Sequence, residues 1–222
     1  MSYGSAWVLT AMAEPLWIAL GQRTRLREFT RKDVDRWCEW GRHDDPLFSS
    51  YNPTKMSGTM RDAWYDDLVH KQGQLPYAIE DLERRLIGRL FLRHIREREG
   101  TAVLGIDLDA GLVGRGYGTD ALKAFMTYFF GPARFVKMYL SVAAFNVRAR
   151  RSYDRCGFQQ FATHWQLLKT DANVFTDPQY AEIRHLFRRT PEGVETLMQD
   201  MVARSPLRRW SMPVRAAPDR TD

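Results

Sequence analysis

In "GLVGRGYGTDAL", residues 111–122, Gly114, Gly116 and Gly118 alternate with Val113, Arg115, Tyr117 and Thr119. An apolar run of helical period follows at once and continues to Phe130, where Gly131-Pro132 breaks it. A helix N-terminus exposes unpaired backbone N–H groups and carries positive partial charge, so a bare turn in front of it suits a phosphate. Arg115 adds a mobile positive charge and Thr119 a hydroxyl. A P-loop needs Gly-Lys-Ser/Thr after four spacer residues, which is absent here. A dinucleotide fingerprint needs glycine at position 119, where Thr119 stands, and no acidic residue ends a following parallel strand. Taken alone, the stretch fits a plain flexible hairpin turn equally well.

Three strands precede it. "LPYAIED" (75–81), "LIGRLFLRHIRER" (86–98) and "TAVLGIDLD" (101–109) are separated by a charged turn at Leu82–Arg85 and by Glu99-Gly100, which predicts a meander of hairpins. Further upstream, "RTRLREF" (23–29) alternates Leu26 with Arg25 and Arg27, as a strand with one wet face does. Thr30, with Asp33 three residues on, starts a helix in which Val34, Trp37 and Cys38 repeat at helical spacing. "SSYNPTKMSG" (49–58) is loop chemistry, and a second helix is expected from about Thr59 to His70, with Ala63, Trp64 and Leu68 inward.

Downstream, "VKMYLSVAAF" (136–145) is a nearly continuous apolar run, as in a strand covered on both faces. "NVRARRSYDRCGF" (146–158) reads as a helix capped by Asn146 and left through Gly157, and "QQFATHWQLL" (159–168) as a strand. Asp177-Pro178 starts a helix to about Arg188. "GVETLMQDMVA" (193–203) fits helix or strand; the alternation of Val194, Thr196, Met198, Asp200 and Val202 favours strand. "SPLRRWSMPVRAAPDRTD" (205–222) is a basic tail with three prolines, expected to be partly disordered.

The chain has 222 residues, 44% of them hydrophobic, which suffices for one sizeable core. A net charge of +6 fits an anionic ligand without demanding nucleic acid. Cys38 and Cys156 are the only cysteines, in no metal-like spacing, so neither a disulfide framework nor a metal site is expected, and a reducing cytoplasm is the natural compartment. "AWVLTAMAEPLWIALG" (6–21) lacks a preceding Lys or Arg, is broken by Glu14-Pro15 and is too short to span a bilayer, so no membrane association is expected.

The pattern Asn-x-x-Ala-x-x-x-Tyr-x-x-x-Gly-Phe in "NVRARRSYDRCGF" joins the glycine stretch in deciding the reading. In this order the two resemble the GNAT superfamily of acetyl-CoA-dependent N-acetyltransferases, and "GQRTRLREFTRKDVDRW" resembles the first strand and helix of its ribosomal-protein N-terminal acetyltransferase-like branch (RimJ/RimL type). The likeness covers roughly residues 20–168. It implies an α+β fold: one mixed, mostly antiparallel twisted sheet of six to seven strands flanked by helices. Residues 1–22 become a leader and edge strand, 23–203 the acetyltransferase domain with a helical insertion at about 177–188, and 204–222 the basic tail.

The resemblance assigns the backbone of Val113, Gly114, Arg115, Gly116, Tyr117, Gly118 and Thr119 to the diphosphate of CoA, although Val113 stands where the family usually has Gln or Arg. Asn146 would hold the pantetheine arm, lying between splayed strands 101–109 and 136–145, and backbone N–H groups at Ile106, Asp107 and Leu108 would polarise the thioester carbonyl. Arg151, among Arg148 and Arg150, would approach the 3′-phosphate. Tyr153 would protonate the leaving thiolate; a phenol with a pKa near ~10 is protonated at neutral pH. The base is open between Asp107, Glu80 and water, because Val103 occupies the position where many members carry an acid. The early aromatics Trp37, Trp40, Trp64 and Tyr65 border the acceptor side in this family, with core packing the alternative for Trp37 and Trp64. The expected activity is direct acetyl transfer to a primary amine, a protein N-terminus or a small molecule. A CoA-binding module without turnover, or a ribosome- or RNA-associated protein, are the alternatives; a homodimer is compatible with each.

Overall fold

The computed structural model describes residues 16–70, 74–170 and 172–206. Its frame is a sheet of nine strands. β1 (Ala19–Leu20) and β2 (Thr24–Glu28) lead into α1 (Arg31–Cys38) and α2 (Gly58–His70). The meander follows as β3 (Leu75–Asp81), β4 (Leu86–Arg96) and β5 (Thr101–Leu108). Then come α3 (Tyr117–Phe130), β6 (Lys137–Ala143), α4 (Val147–Arg155), β7 (Gln159–Leu167), β8 (Phe187–Thr190) and β9 (Gly193–Arg204). The order across the sheet is β1-β2-β3-β4-β5-β6-β9-β7, with β8 also paired to β9. Every pairing is antiparallel except β5 with β6.

The alternation along β3 shows how the layers arise. Tyr77 and Ile79 face one side and join the main core with Leu26, Leu90, Leu104 and Met138. α3 covers that side with Leu122, Phe125 and Phe129, all buried. Ala78 faces the other side, where Val34, Trp37 and Trp40 of the α1 segment pack with Phe29 and Leu86. A third cluster, around Leu47, Phe145, Val174, Tyr180 and Phe187, closes the end of the sheet beside β8.

α1 begins where the Thr30–Asp33 pattern places it. The Thr30 N–H donates to Asp33 Oδ2 at 2.8 Å, and both halves of the capping box are formed. The meander and the strand over 193–204 also stand as expected.

Four expectations need correction. Residues 178–186 form a 3-10 helix, not an α-helix reaching Arg188, and Phe187 already enters β8. β8 turns through Pro191-Glu192 into β9, pairing Thr190 with Gly193, so turn chemistry at the end of an assumed helix concealed a hairpin strand. The sheet accordingly exceeds six to seven strands. Ala63 is exposed; α2 buries no residue fully and leans on the core with half-buried Trp64, Tyr65 and Leu68. The loop expected at 49–58 starts with a 3-10 turn, Pro46–Tyr51, capped by Asp45. Residues 1–15 and 207–222, which hold most of the leader and of the basic tail, lie outside the described residues. No described helix is long and apolar enough to cross a membrane.

Candidate active site

β5 and β6 pair only through Thr101–Val103 against Lys137–Tyr139. Beyond Val103 the strands part, while β5 stays paired to β4 as far as Leu108. One edge of Leu104–Leu108 therefore keeps backbone groups that no strand satisfies, which a bound extended chain can use. A cavity of about 200 Å³ opens at this gap, with Ile106, Asp107 and Leu108 in its wall.

The chain leaves β5 through a short turn, Ala110–Leu112, capped by Asp109, which accepts from the Gly111 N–H at 2.9 Å and the Gly41 N–H at 3.1 Å. Gly114 and Gly116 then take left-handed backbone angles, φ 80° and 88°, a region closed to most residues. Gly116 is the N-cap of α3, so the free N–H groups of the first helical turn adjoin the cavity. Asp120, in that first turn, fastens α3 to the β1–β2 turn by accepting from the backbone N–H groups of Gln22 and Arg23 and from the Thr24 hydroxyl.

Val113, Gly114, Gly116, Gly118 and Thr119 line the cavity. Arg115 and Tyr117 do not. The Arg115 carbonyl accepts from Arg23 Nη1 at 2.7 Å, and the Arg23 guanidinium lies 4.4 Å from the Tyr117 ring centre.

α4 supplies the opposite wall with Arg148, Ala149, Ser152, Tyr153 and Arg155. The Ala149 N–H donates to Asn146 Oδ1 at 3.1 Å, so the oxygen is spent on capping, and the side chain also hydrogen-bonds Tyr51. Arg151 is exposed and outside the lining. At 3.6 residues per turn, the inward arc runs Arg155, Arg148, Ser152, Ala149, Tyr153, and Arg151 falls just past its edge. Arg155 thus takes the place expected for Arg151.

Glu80 is not in the cavity either. It is buried and accepts from Arg27 Nε at 2.9 Å, while Arg27 also bonds both oxygens of Asp33, at 2.6 and 2.8 Å. A carboxylate in this buried triad is a structural counter-charge with no path to a substrate. Asp107 does line the cavity, and Arg89 holds it there: Nε and Nη2 both reach Oδ2, at 2.9 and 2.8 Å. Arg89 itself rests on the ring of Trp37, which stacks on Trp64 with centres 4.9 Å apart. Trp37, Trp40, Trp64 and Tyr65 are core or core-flanking and none lines the cavity.

The third wall is one that sequence reading passed over. His43, Phe48 and Tyr51 face the cavity from the segment after α1. The His43 N–H donates to Asn52 Oδ1 at 2.6 Å, and Asp45 accepts from the Leu47 N–H and the Tyr180 hydroxyl, which pins the turn. The three rings stand 5.6–6.3 Å apart, and Phe48 meets Phe145 edge-on.

Burial, with the nearby Tyr51 and Asp107, pushes the Tyr153 phenol well above its ordinary value. Burial and the Asp107 charge also raise Tyr51. Burial and the Arg148 charge lower His43, so its imidazole is neutral at pH 7. Burial pushes the Cys156 thiol up to about 11. Among the described residues no three His, Cys, Asp or Glu side chains gather as metal ligands would.

The acetyltransferase (GNAT) domain family matches residues 23–159. A curated relative, the spermidine N(1)-acetyltransferase of Vibrio cholerae, is 28% identical over 94 residues, 42% of this chain and 54% of the relative. The match thus spans about half of that relative's length. The crystal structure of spermidine N-acetyltransferase from Vibrio cholerae in complex with CoA and spermine shares the fold, with TM-score 0.62 and 18% identity over 82% of this chain and 95% of the other. A chimera of that enzyme with hSSAT aligns with TM-score 0.59 and 20% identity over the same shares. The fold likeness is to spermidine acetyltransferases and not specifically to the ribosomal-protein branch. The family match runs from β2 to the start of β7 and takes in the glycine turn, the parted strands and α4; the chain belongs to the GNAT acetyltransferase family.

Proposed function

We propose that this protein transfers the acetyl group of acetyl-CoA to the primary amine of a small molecule. The observation that carries the proposal is the parting of β5 and β6 at Val103, directly before a bare, positively polarised helix start. The turn from Val113 to Thr119 offers an anion main-chain N–H groups at Gly114, Gly116 and Gly118, with no side chain between, as the CoA diphosphate requires. Arg155 offers charge to its remaining phosphate. The pantetheine arm would pair with the open edge of β5 and with the Asn146 amide. Acetyl-CoA brings the activated acyl group, and the chain's own residues do the rest.

Backbone N–H groups near Ile106–Leu108 would polarise the thioester carbonyl. The amine nitrogen forms the new C–N bond, the C–S bond breaks with its electron pair on sulfur, and Tyr153 gives that sulfur a proton. Burial keeps the Tyr153 phenol protonated at neutral pH, and the same burial weakens its drive to give the proton up, so the transfer depends on the thiolate forming in contact with it. Asp107, oriented by Arg89, or water would take the proton released by the amine. Glu80 is withdrawn as base by its burial with Arg27. A thiol held at about 11, outside the cavity lining, argues against an acetyl-cysteine intermediate and for direct attack.

A small-molecule acceptor is favoured over a protein N-terminus by the spermidine acetyltransferases to which the chain is similar. The test is thiol release from acetyl-CoA across peptides with different first residues, aminoglycosides, monoamines and polyamines, beside calorimetry with CoA. Thiol release confined to small amines supports the proposal. CoA uptake without release by any amine would make the protein a binding module, and absence of uptake would remove the reading altogether.

A further inference from the structure

His43, Phe48 and Tyr51 form the part of the cavity lining that neither the glycine turn nor α4 supplies, and Tyr51 and Asp107 both lie near the Tyr153 phenol. Its charge inventory is short. Asp107 is the one carboxylate among the described lining residues, and Arg89 occupies its Oδ2 with two hydrogen bonds, leaving Oδ1 for a single cation. Asp44, Asp45 and Asp109 lie near His43 but outside the lining, and Asp45 and Asp109 are engaged in capping. The other charges lining the cavity are Arg148 and Arg155, and the Arg148 guanidinium stands 5.8 Å from the Phe48 ring centre. His43 adds no charge at neutral pH.

A polyamine carries further ammonium groups along its chain, and each one taken from water needs a carboxylate or a free aromatic face or stays unpaired at a cost. Here the second ammonium would compete with Arg148 for the Phe48 ring and be repelled by its charge. Flat or apolar bodies suit those rings, because they bury area and stack edge-on without needing a charge partner.

Resting on the acetyltransferase reading above, we propose that the acceptor is a monoamine with an aromatic or apolar body, its one ammonium on Asp107 Oδ1 and its body among His43, Phe48 and Tyr51, and that polyamines are poor acceptors. The fold relatives named for spermidine would then share the scaffold and differ in the acceptor wall.

The test uses the full chain with acetyl-CoA and compares phenethylamine, as the arylalkyl probe, with spermidine, following thiol release near pH 7.5. The expected kcat/KM favours phenethylamine by roughly tenfold to a hundredfold, the worth of one unpaired polar group. Phe48→Ala is expected to raise KM for phenethylamine with CoA affinity unchanged. Arg148→Glu, which supplies a second carboxylate, is expected to narrow the gap toward spermidine. Equal or better use of spermidine by the natural protein overturns the proposal and leaves the acetyltransferase reading intact. Release with peptides alone, or CoA binding without release from either amine, also overturns it. Absence of CoA binding removes the underlying reading first, so the two failures are distinguishable.

Discussion

At Tyr153, one oxygen atom separates two roles. The phenol ring packs near Phe158 with centres 5.7 Å apart, and Phe at this position keeps that packing. Tyr153→Phe is therefore expected to lower turnover by ~10²-fold, the usual worth of a positioned general acid, and to leave the Kd for CoA nearly unchanged. Calorimetry and thiol release on the same variant separate these effects; a parallel loss of CoA affinity would make the residue a packing group. Tyr153 and Asn146 were legible in the sequence because both lie in one short helix at fixed spacing. Glu80 was not, because its partner Arg27 is distant in sequence and adjacent only across the β2–β3 register, where Arg25, not Arg27, is paired directly with Glu80. His43, Phe48 and Tyr51 carried no periodic signal, since an irregular segment with a 3-10 turn fixes them.

Two elements hold the site by their first turns. α3 begins on Gly116, where a valine would be strained at φ 88° and its Cβ would meet the Arg23 guanidinium at 3.3 Å, distorting the turn that lines the cavity. Gly116→Val is expected to abolish measurable CoA binding by calorimetry while the circular dichroism of the sheet persists, since the strain is confined to the turn. α1 is capped by Thr30 and by Asp33 in its first turn; burial of Asp33 favours the neutral form, but the hydrogen bonds from Arg27 and Thr30 prevail and hold its carboxyl below the ordinary 3.8. A depressed folded-state pKa stabilises the protein above 3.8 and loses that contribution as pH falls through the lower, folded value. Urea unfolding should thus lose midpoint below about pH 4, and Asp33→Ala should remove this acid dependence while costing ~2–3 kcal/mol, because Arg27 keeps Glu80 but loses two hydrogen bonds and α1 loses its capping box. The capping box announced α1 in the sequence, whereas β8 was hidden: Phe187-Arg188-Arg189-Thr190 continues a helix-start signal without a break, and its pairing with β9 is a tertiary choice.

For the molecule as a whole, the binding proposal predicts a thermal signature. A ligand that binds only the folded chain stabilises it by about 2.7 kcal/mol at a hundred times its Kd. For a chain of this size that corresponds to a rise in Tm of roughly 5–10 °C, checked by differential scanning fluorimetry with CoA and with dephospho-CoA as the control for Arg155. A rise with neither compound would contradict the cavity's assignment. Sheet order was the least legible property at this scale. Alternating residues announce strands such as 193–204, but only packing decides that β9 lies between β6 and β7.

That placement has a consequence for synthesis. β6 and β7 are translated well before β9, and neither pairs with the other. Until residue 204 clears the ribosomal tunnel, both expose a full ladder of unsatisfied main-chain groups, which invites chaperones and sticky neighbours. The nascent chain can fold its front half early, but the complete molecule is sealed only by its last strand.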